Sequence, residues 1–157
     1  MIGKTDTPGV IAPPPLIYLA FLLAGFGIGR LIHEPSFGLA VDWRRGLAFV
    51  LVIGGLLLDG IAAGTFRRLG TPPEPWKPTT ALATGGLYAV SRNPIYLGFA
   101  ITYAGFAVAM DSPVALALLF PCLIVIDRFV IAREERYLAA RFGAAYAAYK
   151  GKVRRWL

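Results

Sequence analysis

Arg92-Asn93-Pro94-Ile95-Tyr96-Leu97-Gly98 gathers a guanidinium, an amide and a phenol where a membrane-length apolar segment begins, and Arg133-Glu134-Glu135 answers it just past the end of the last such segment. Polar groups at a bilayer boundary are costly unless they bind something. The two runs together therefore imply a polar ligand site near one membrane face. The chemistry open to it is narrowed by what is missing. The chain has a single histidine, His33, and a single cysteine, Cys122, which argues against a His/Cys metal site and against an internal disulfide. No phosphate-cradling Gly-rich loop, G-x-S-x-G elbow or H-E-x-x-H helix is present. Covalent and metal mechanisms thus lack their usual markers. A third candidate is Asp59, a lone carboxylate inside an otherwise apolar segment. Such a residue is a functional candidate by default, unless it lies near enough to one interface to meet water or Arg67 and Arg68.

These groups have to be positioned by apolar helices. The 157 residues suffice for one domain; 57% are hydrophobic and the mean hydropathy is +0.62. That exceeds the roughly 45–50% apolar share of soluble domains, and the excess is clustered into long runs. We read four transmembrane helices in an all-α integral membrane protein. After a Pro- and Gly-rich tail (residues 1–15), the first runs from Leu16 to Ile32, retained rather than cleaved as a signal peptide, since no small-x-small cleavage site follows. The second runs from Gly46 to Phe66, preceded by the interfacial anchor Trp43. Residues 69–93 form a long connector. Pro72, Pro73, Pro75 and Pro78 forbid continuous helix in its first half, and its later apolar residues predict packing against the bundle. Asn93 as N-cap and Pro94 at the first helical position start the third helix, which runs to Met110. Asp111-Ser112-Pro113 repeats the device and turns the chain tightly into a fourth helix, Pro113 to about Ile131, with a bend expected at Pro121. From Ala132 onward, Leu138, Phe142, Tyr146, Tyr149, Val153 and Trp156 recur at spacings of 4, 4, 3, 4 and 3. This stripe predicts a C-terminal amphipathic helix lying on the interface or capping the bundle.

The net charge of +7 belongs to the flanks of these segments, so orientation and anionic lipid explain it better than nucleic acid does. With four spans, Lys4, Arg67, Arg68, Lys77, Arg92 and all cations from Arg128 onward share one side, and Arg30, Arg44 and Arg45 the other. Positive-inside asymmetry then puts both termini and both polar motifs in the cytoplasm, in a bacterial inner membrane.

Two stretches carry a resemblance. Thr79-Thr80-Ala81-Leu82-Ala83-Thr84-Gly85-Gly86-Leu87-Tyr88-Ala89-Val90-Ser91-Arg92-Asn93-Pro94-Ile95-Tyr96-Leu97-Gly98 is one. The other is Arg133-Glu134-Glu135-Arg136-Tyr137-Leu138 with Arg141-Phe142-Gly143, Tyr146, Tyr149 and Val153-Arg154-Arg155-Trp156-Leu157. In this order, with a tight helical hairpin between them, they resemble the isoprenylcysteine carboxyl methyltransferase and phospholipid methyltransferase group. The resemblance covers about residues 65–157, the catalytic part of a single domain spanning 1–157; the first two helices match only as generic spans.

The resemblance implies an integral membrane methyltransferase with S-adenosyl-L-methionine as methyl donor, working on a lipidic or small apolar acceptor. Carried over by motif position, Thr80, Ala81, Leu82, Ala83, Tyr88, Asn93, Pro94, Ile95 and Tyr96 line the donor and Glu134 meets its polar end. Arg92, Glu134 and Glu135 are the catalytic candidates. A carboxylate suits the donor's ammonium, Arg92 suits its carboxylate, and Tyr88 and Tyr96 suit its adenine or sulfonium. Relatives known for prenylcysteine activity carry histidine where Asn93 stands and arginine where Val130 stands, with Arg128 and Arg133 the candidates to replace the latter. A carboxylate or thiol acceptor needs alignment and exclusion of water but no general base. An amine acceptor, as in a phospholipid N-methyltransferase, needs a proton acceptor, for which Glu135 or Asp59 would serve. The donor is expected to enter from the cytoplasm and the acceptor from lipid, past the hairpin of the third and fourth helices near Pro121. Two other classes stand beside this one. One is an NADPH-dependent sterol-reductase-like protein, for which the chain is short. The other is a non-enzymatic membrane subunit, in which Arg92, Glu134 and Glu135 form interfacial ion pairs and the tyrosines an aromatic belt.

Overall fold

A computed structural model describes residues 7–74 and 77–157, so Lys4 and Pro75 lie outside the described residues. It contains five helices: α1 (Pro14–Leu31), α2 (Val41–Arg68), α3 (Pro94–Ala109), α4 (Pro113–Val125) and α5 (Ala132–Lys152). A 3-10 turn, Gly86–Ala89, precedes α3, and a π-helical turn, Ile126–Ile131, joins α4 to α5 without a break. No strand is present among the described residues. Among the described residues, three helical stretches are long and apolar enough to cross a membrane: Pro14–Leu31, Val41–Arg68 and Pro113–Lys152; α3 is a shorter apolar helix. Large apolar side chains stay exposed along them. Phe49 and Val50 on α2 are 67% and 65% exposed and Phe120 on α4 is 72%, a surface suited to lipid tails rather than to water.

Proline sets the helix starts, because its fixed φ fits the first turn, where an N–H has no partner anyway. Pro94 and Pro113 each sit there. Ser112 caps α4 as expected, accepting from Ala115 N at 3.1 Å. Asn93 does not cap α3. Its amide donates instead to Arg155 O at 2.9 Å, because the chain beyond α5 returns to lie against it. Pro121 lies inside α4, and a π-helical irregularity follows at Ile126–Ile131. A π turn adds a residue to one turn and shifts the face that the next turns present, and Ile126, Val130 and Ile131 are all buried there.

α2 packs chiefly on α3, and α1 on α4. Close backbone approach depends on glycine. A Cβ on Gly25 would overlap Ala115 Cα across the α1–α4 seam. On the α2–α3 seam, a Cβ on Gly55 would overlap Thr102 Oγ1 and Gly98 O, and one on Gly98 would fall on the Asp59 carboxylate. Buried contacts divide into two clusters. One joins Ile17, Tyr18 and Leu22 to Tyr96, Tyr103, Ala115, Cys122 and the π turn. The other joins Ala62 of α2, Ala83 and Tyr88 of the connector, and Tyr146 and Tyr149 of α5.

The helix ends gather at two poles. At one, Glu34 accepts from Ser112 Oγ at 2.5 Å and Val114 N at 2.7 Å, and Arg44 pairs with Asp111. At the other, the connector and the residues after α5 meet: Arg92 N donates to Arg154 O at 3.0 Å, and Ser91 and Arg154 form an isolated parallel bridge.

Candidate active site

The second pole encloses a cavity of about 340 Å³, within the usual range of small-molecule sites, about 300–1,000 Å³. Of the residues expected to bind a donor, Ala81, Leu82, Ala83, Tyr88, Asn93, Ile95, Tyr96 and Glu134 line it. Thr80 and Pro94 do not. Thr80 is exposed, its N–H donating to Thr71 Oγ1 at 2.8 Å. Pro94 is fully buried in helix packing. The wall also takes in Asp59, Ala63 and Phe66 of α2, Phe99 of α3, and Tyr137, Leu138, Tyr146 and Tyr149 of α5. No residue of α4 lines it; α1 contributes Pro14 and Pro15.

The aromatic residues form a frame. Tyr88 meets Phe66 edge-on, with ring centroids 5.2 Å apart, and its carbonyl accepts from Tyr149 Oη at 2.6 Å. Burial pushes the Tyr88 phenol well above its ordinary range, keeping it neutral. Tyr137 Oη accepts from Thr79 N at 3.1 Å, fastening the connector to α5. Leu138, Phe142, Tyr146, Tyr149 and Val153 of the sequence stripe all belong to the cluster beneath the connector, whereas Trp156 packs on the other cluster. Within this stretch the positive φ of 49° at Gly143 breaks α5 internally, a conformation glycine adopts without penalty.

The adjacent carboxylates have different partners. Glu135 accepts from Arg92 Nη2 at 2.6 Å and from Arg155 Nε and Nη2 at 3.0 and 2.7 Å. Arg92 Nη1 donates to the carbonyls of Val153 and Lys150 at 2.6 and 3.2 Å. Arg155 also reaches Asp127 of the π turn at 2.9 Å, and Trp156 Nε1 donates to the same carboxylate at 3.1 Å. The hydrogen bond to Glu135, with that to Asp127 and against the opposing effect of burial, holds the Arg155 guanidinium above the usual arginine range. Glu134 lies outside this clamp and accepts from Tyr96 Oη. Arg128 and Arg133 do not line the cavity: Arg128 is exposed beside Asp127, and Arg133 donates to Gly9 O at 2.7 Å.

Asp59 lines the cavity from α2 and meets neither Arg67 nor Arg68. Both its oxygens are shut from solvent and have no hydrogen-bond partner among the described residues. Sequence reasoning named it only as a candidate proton acceptor for an amine and not among the donor-binding residues, because the α2–α3 packing that brings it to the cavity leaves no local signal. Phe66 and Ala63 were missed for the same reason. No group of three or more His, Cys, Asp or Glu suited to a metal occurs among the described residues.

The family model for phospholipid methyltransferase covers residues 43–145, and the chain belongs to this family of membrane methyltransferases. The match starts at the head of α2, so the second helix is part of the family's core rather than a generic span. Residues of the chain are 37% identical, over 75 positions, to protein-S-isoprenylcysteine O-methyltransferase B of Arabidopsis thaliana, covering 46% of this chain and 36% of that protein. A shorter match, 60% identical over 35 residues, is to an uncharacterized protein of Haemophilus influenzae and covers 22% of this chain and 56% of that one. The chain thus spans about half or less of the length of these curated relatives.

Proposed function

We propose that the protein is an S-adenosyl-L-methionine-dependent methyltransferase of the membrane, acting on a lipidic or small apolar acceptor. The observation that carries this reading is the cavity itself. It unites the connector, the first turn of α3 and Glu134 under an aromatic frame, and its walls are mostly apolar with a few convergent polar groups. That mixture fits the donor: Tyr88, Tyr96 and the apolar Ala81–Ala83 stretch suit its adenosine, and Glu134 suits its ammonium. When bound, the donor supplies an electrophilic methyl group on a sulfonium.

The chain's own groups divide the remaining work. Glu134 orients the polar end, held in turn by Tyr96 Oη. Glu135 pairs with both Arg92 and Arg155, so the part of Arg92 and Glu135 is to hold the connector and the residues after α5 together as the roof. That roof keeps water from the reacting groups, which such a transfer requires. Isothermal titration with S-adenosylhomocysteine and with NADPH tests the reading. Binding of the first and not the second supports it; the reverse result rejects it.

We place four spans in the bilayer, with α3 as the short fourth, the segment after the π turn at the interface, and the site on the cytoplasmic side. The cation excess around the cavity pole favours that orientation. In a chain lacking Cys122, cysteines at positions 77 and 152 should react with an impermeant label from one side and a cysteine at position 36 from the other; labelling of 77 and 152 from opposite sides rejects this topology.

A further inference from the structure

Ahead of α1 the chain borders the cavity without regular secondary structure. Pro8 lines it together with Pro14 and Pro15 at the start of α1, as do Pro72 and Pro73 of the connector. Proline has no N–H to leave unsatisfied, so such segments border a mostly apolar chamber at little cost. Val10 and Ala12 are partly buried against the cluster of Ile17, Tyr18 and Leu22, which seats the segment on the bundle. Its polar hold is slight. Among the described residues, residues 7–12 take part in one hydrogen bond, and it comes from across the molecule: Arg133 Nη1 donates to Gly9 O at 2.7 Å. Gly9 has a positive φ of 62°, with open space where a Cβ would stand. Arg133 itself does not line the cavity, yet it directly precedes Glu134, which does.

We infer that residues 8–13 form a strap along one side of the cavity mouth, that Arg133 is the positioning residue that latches it, and that the charged donor enters and leaves when this latch opens. The ligand named here rests on the methyltransferase reading; the gate goes beyond it. Magnitudes separate the strap from the roof. The latch is one exposed hydrogen bond to a neutral carbonyl, whereas the roof is held by Glu135 between Arg92 and Arg155, with the Arg92 and Glu135 side chains each 9% exposed. An exposed contact of this kind is worth far less than a buried charged pair. The strap therefore opens on its own while the roof stays shut. Pro13 and Pro14, where α1 begins, fix one end of the moving piece, and Gly9 is the end that comes free.

The test separates rates from affinity. Native protein, Arg133→Ala and Gly9→Ala are compared in neutral detergent by surface plasmon resonance with S-adenosylhomocysteine. Loss of the latch should raise the open population about three- to tenfold. A ligand that passes only when the strap is open then associates and dissociates faster by that factor, with Kd within about twofold of native. Gly9→Ala leaves α5 untouched and strains only the latched conformation, so it should raise both rates by about fivefold or more. A rise in one variant without the other overturns the inference, as do native rates in both. So does faster dissociation alone with a weakened Kd in Arg133→Ala, which would make Arg133 a direct donor contact. A second readout needs no ligand. In protein carrying Val10→Cys, maleimide should label position 10 faster once Arg133→Ala is added, with the buried Cys122 of protein lacking Val10→Cys as the blank; equal labelling overturns the strap. Failure of S-adenosylhomocysteine to bind the native protein would reject the donor reading, and the labelling rates would then judge the strap separately.

Discussion

Glu134 and Glu135 are neighbours in sequence, yet the same isosteric change should do opposite things to them. In Glu135→Gln the geometry survives but the charge does not. Arg92 and Glu135 side chains are each only 9% exposed. Removing one charge from a buried pair costs about 3–5 kcal/mol, against about 0–1 for a pair on the surface. Arg92 retains the carbonyls of Val153 and Lys150, and Arg155 retains Asp127, so the lower end, about 3 kcal/mol, applies. At about 2–4 °C per kcal/mol for a chain of this size, the melting temperature should fall by about 6–12 °C. Glu134→Gln still accepts from Tyr96 Oη, so stability should change by less than about 1 kcal/mol. Its affinity for S-adenosylhomocysteine should drop about ten- to a hundredfold. Thermal unfolding followed by tryptophan fluorescence in detergent, without ligand, reads the first quantity, and calorimetric titration the second. A Glu135→Gln protein that melts within about 1 °C of native, or a Glu134→Gln protein with native affinity, would refute this division of labour.

Gly25→Ala should destabilise by about 1–3 kcal/mol, because its Cβ meets the backbone of Ala115 and only movement of a whole helix relieves it; Gly27→Ala, with nothing within 4 Å, is the control, and equal melting temperatures would contradict the α1–α4 seam. Asp111 titrates below the ordinary carboxylate range, held there by a hydrogen bond to Ser36 first, then by Phe37 N and Arg44. A depressed folded value means that its stabilising effect is complete above the unfolded value near 3.9 and is lost as pH falls through the folded one. Unfolding curves of the native protein and Asp111→Asn should therefore differ at neutral pH and converge in acid; a constant gap would show that Asp111 acts without its charge.

Apolar run length and proline position made the helices legible, since both are local. The starts of α3 and α4 at Pro94 and Pro113 follow directly from proline's fixed φ. The cap at Ser112 was legible for the same reason; that at Asn93 was not, because a segment more than sixty residues away, about Arg155, takes up its amide. The π turn escaped notice because Pro121 offered a simpler place for irregularity, and nothing in Ile126–Ile131 marks an inserted residue. The residue types of the site were readable, but not their roles. Arg92 looks like a ligand-binding cation until Glu135 and two carbonyls are found around it, and Asp59 looks like an interfacial carboxylate until α2 is laid on α3.

The return of residues 150–155 onto residues 91–93 has a consequence for the order of synthesis. A chain emerging from the ribosome can form the α1–α4 and α2–α3 seams before residue 153 exists, and Trp156 packs onto the first cluster only afterwards. The cavity roof cannot close until Val153 and Arg155 arrive to meet Arg92, Asn93 and Glu135. A chain without residues 150–155 would thus keep both helix seams while its chamber stayed open to water. Closure of the chamber waits on a handful of residues beyond α5 and is separable from the packing of the helices.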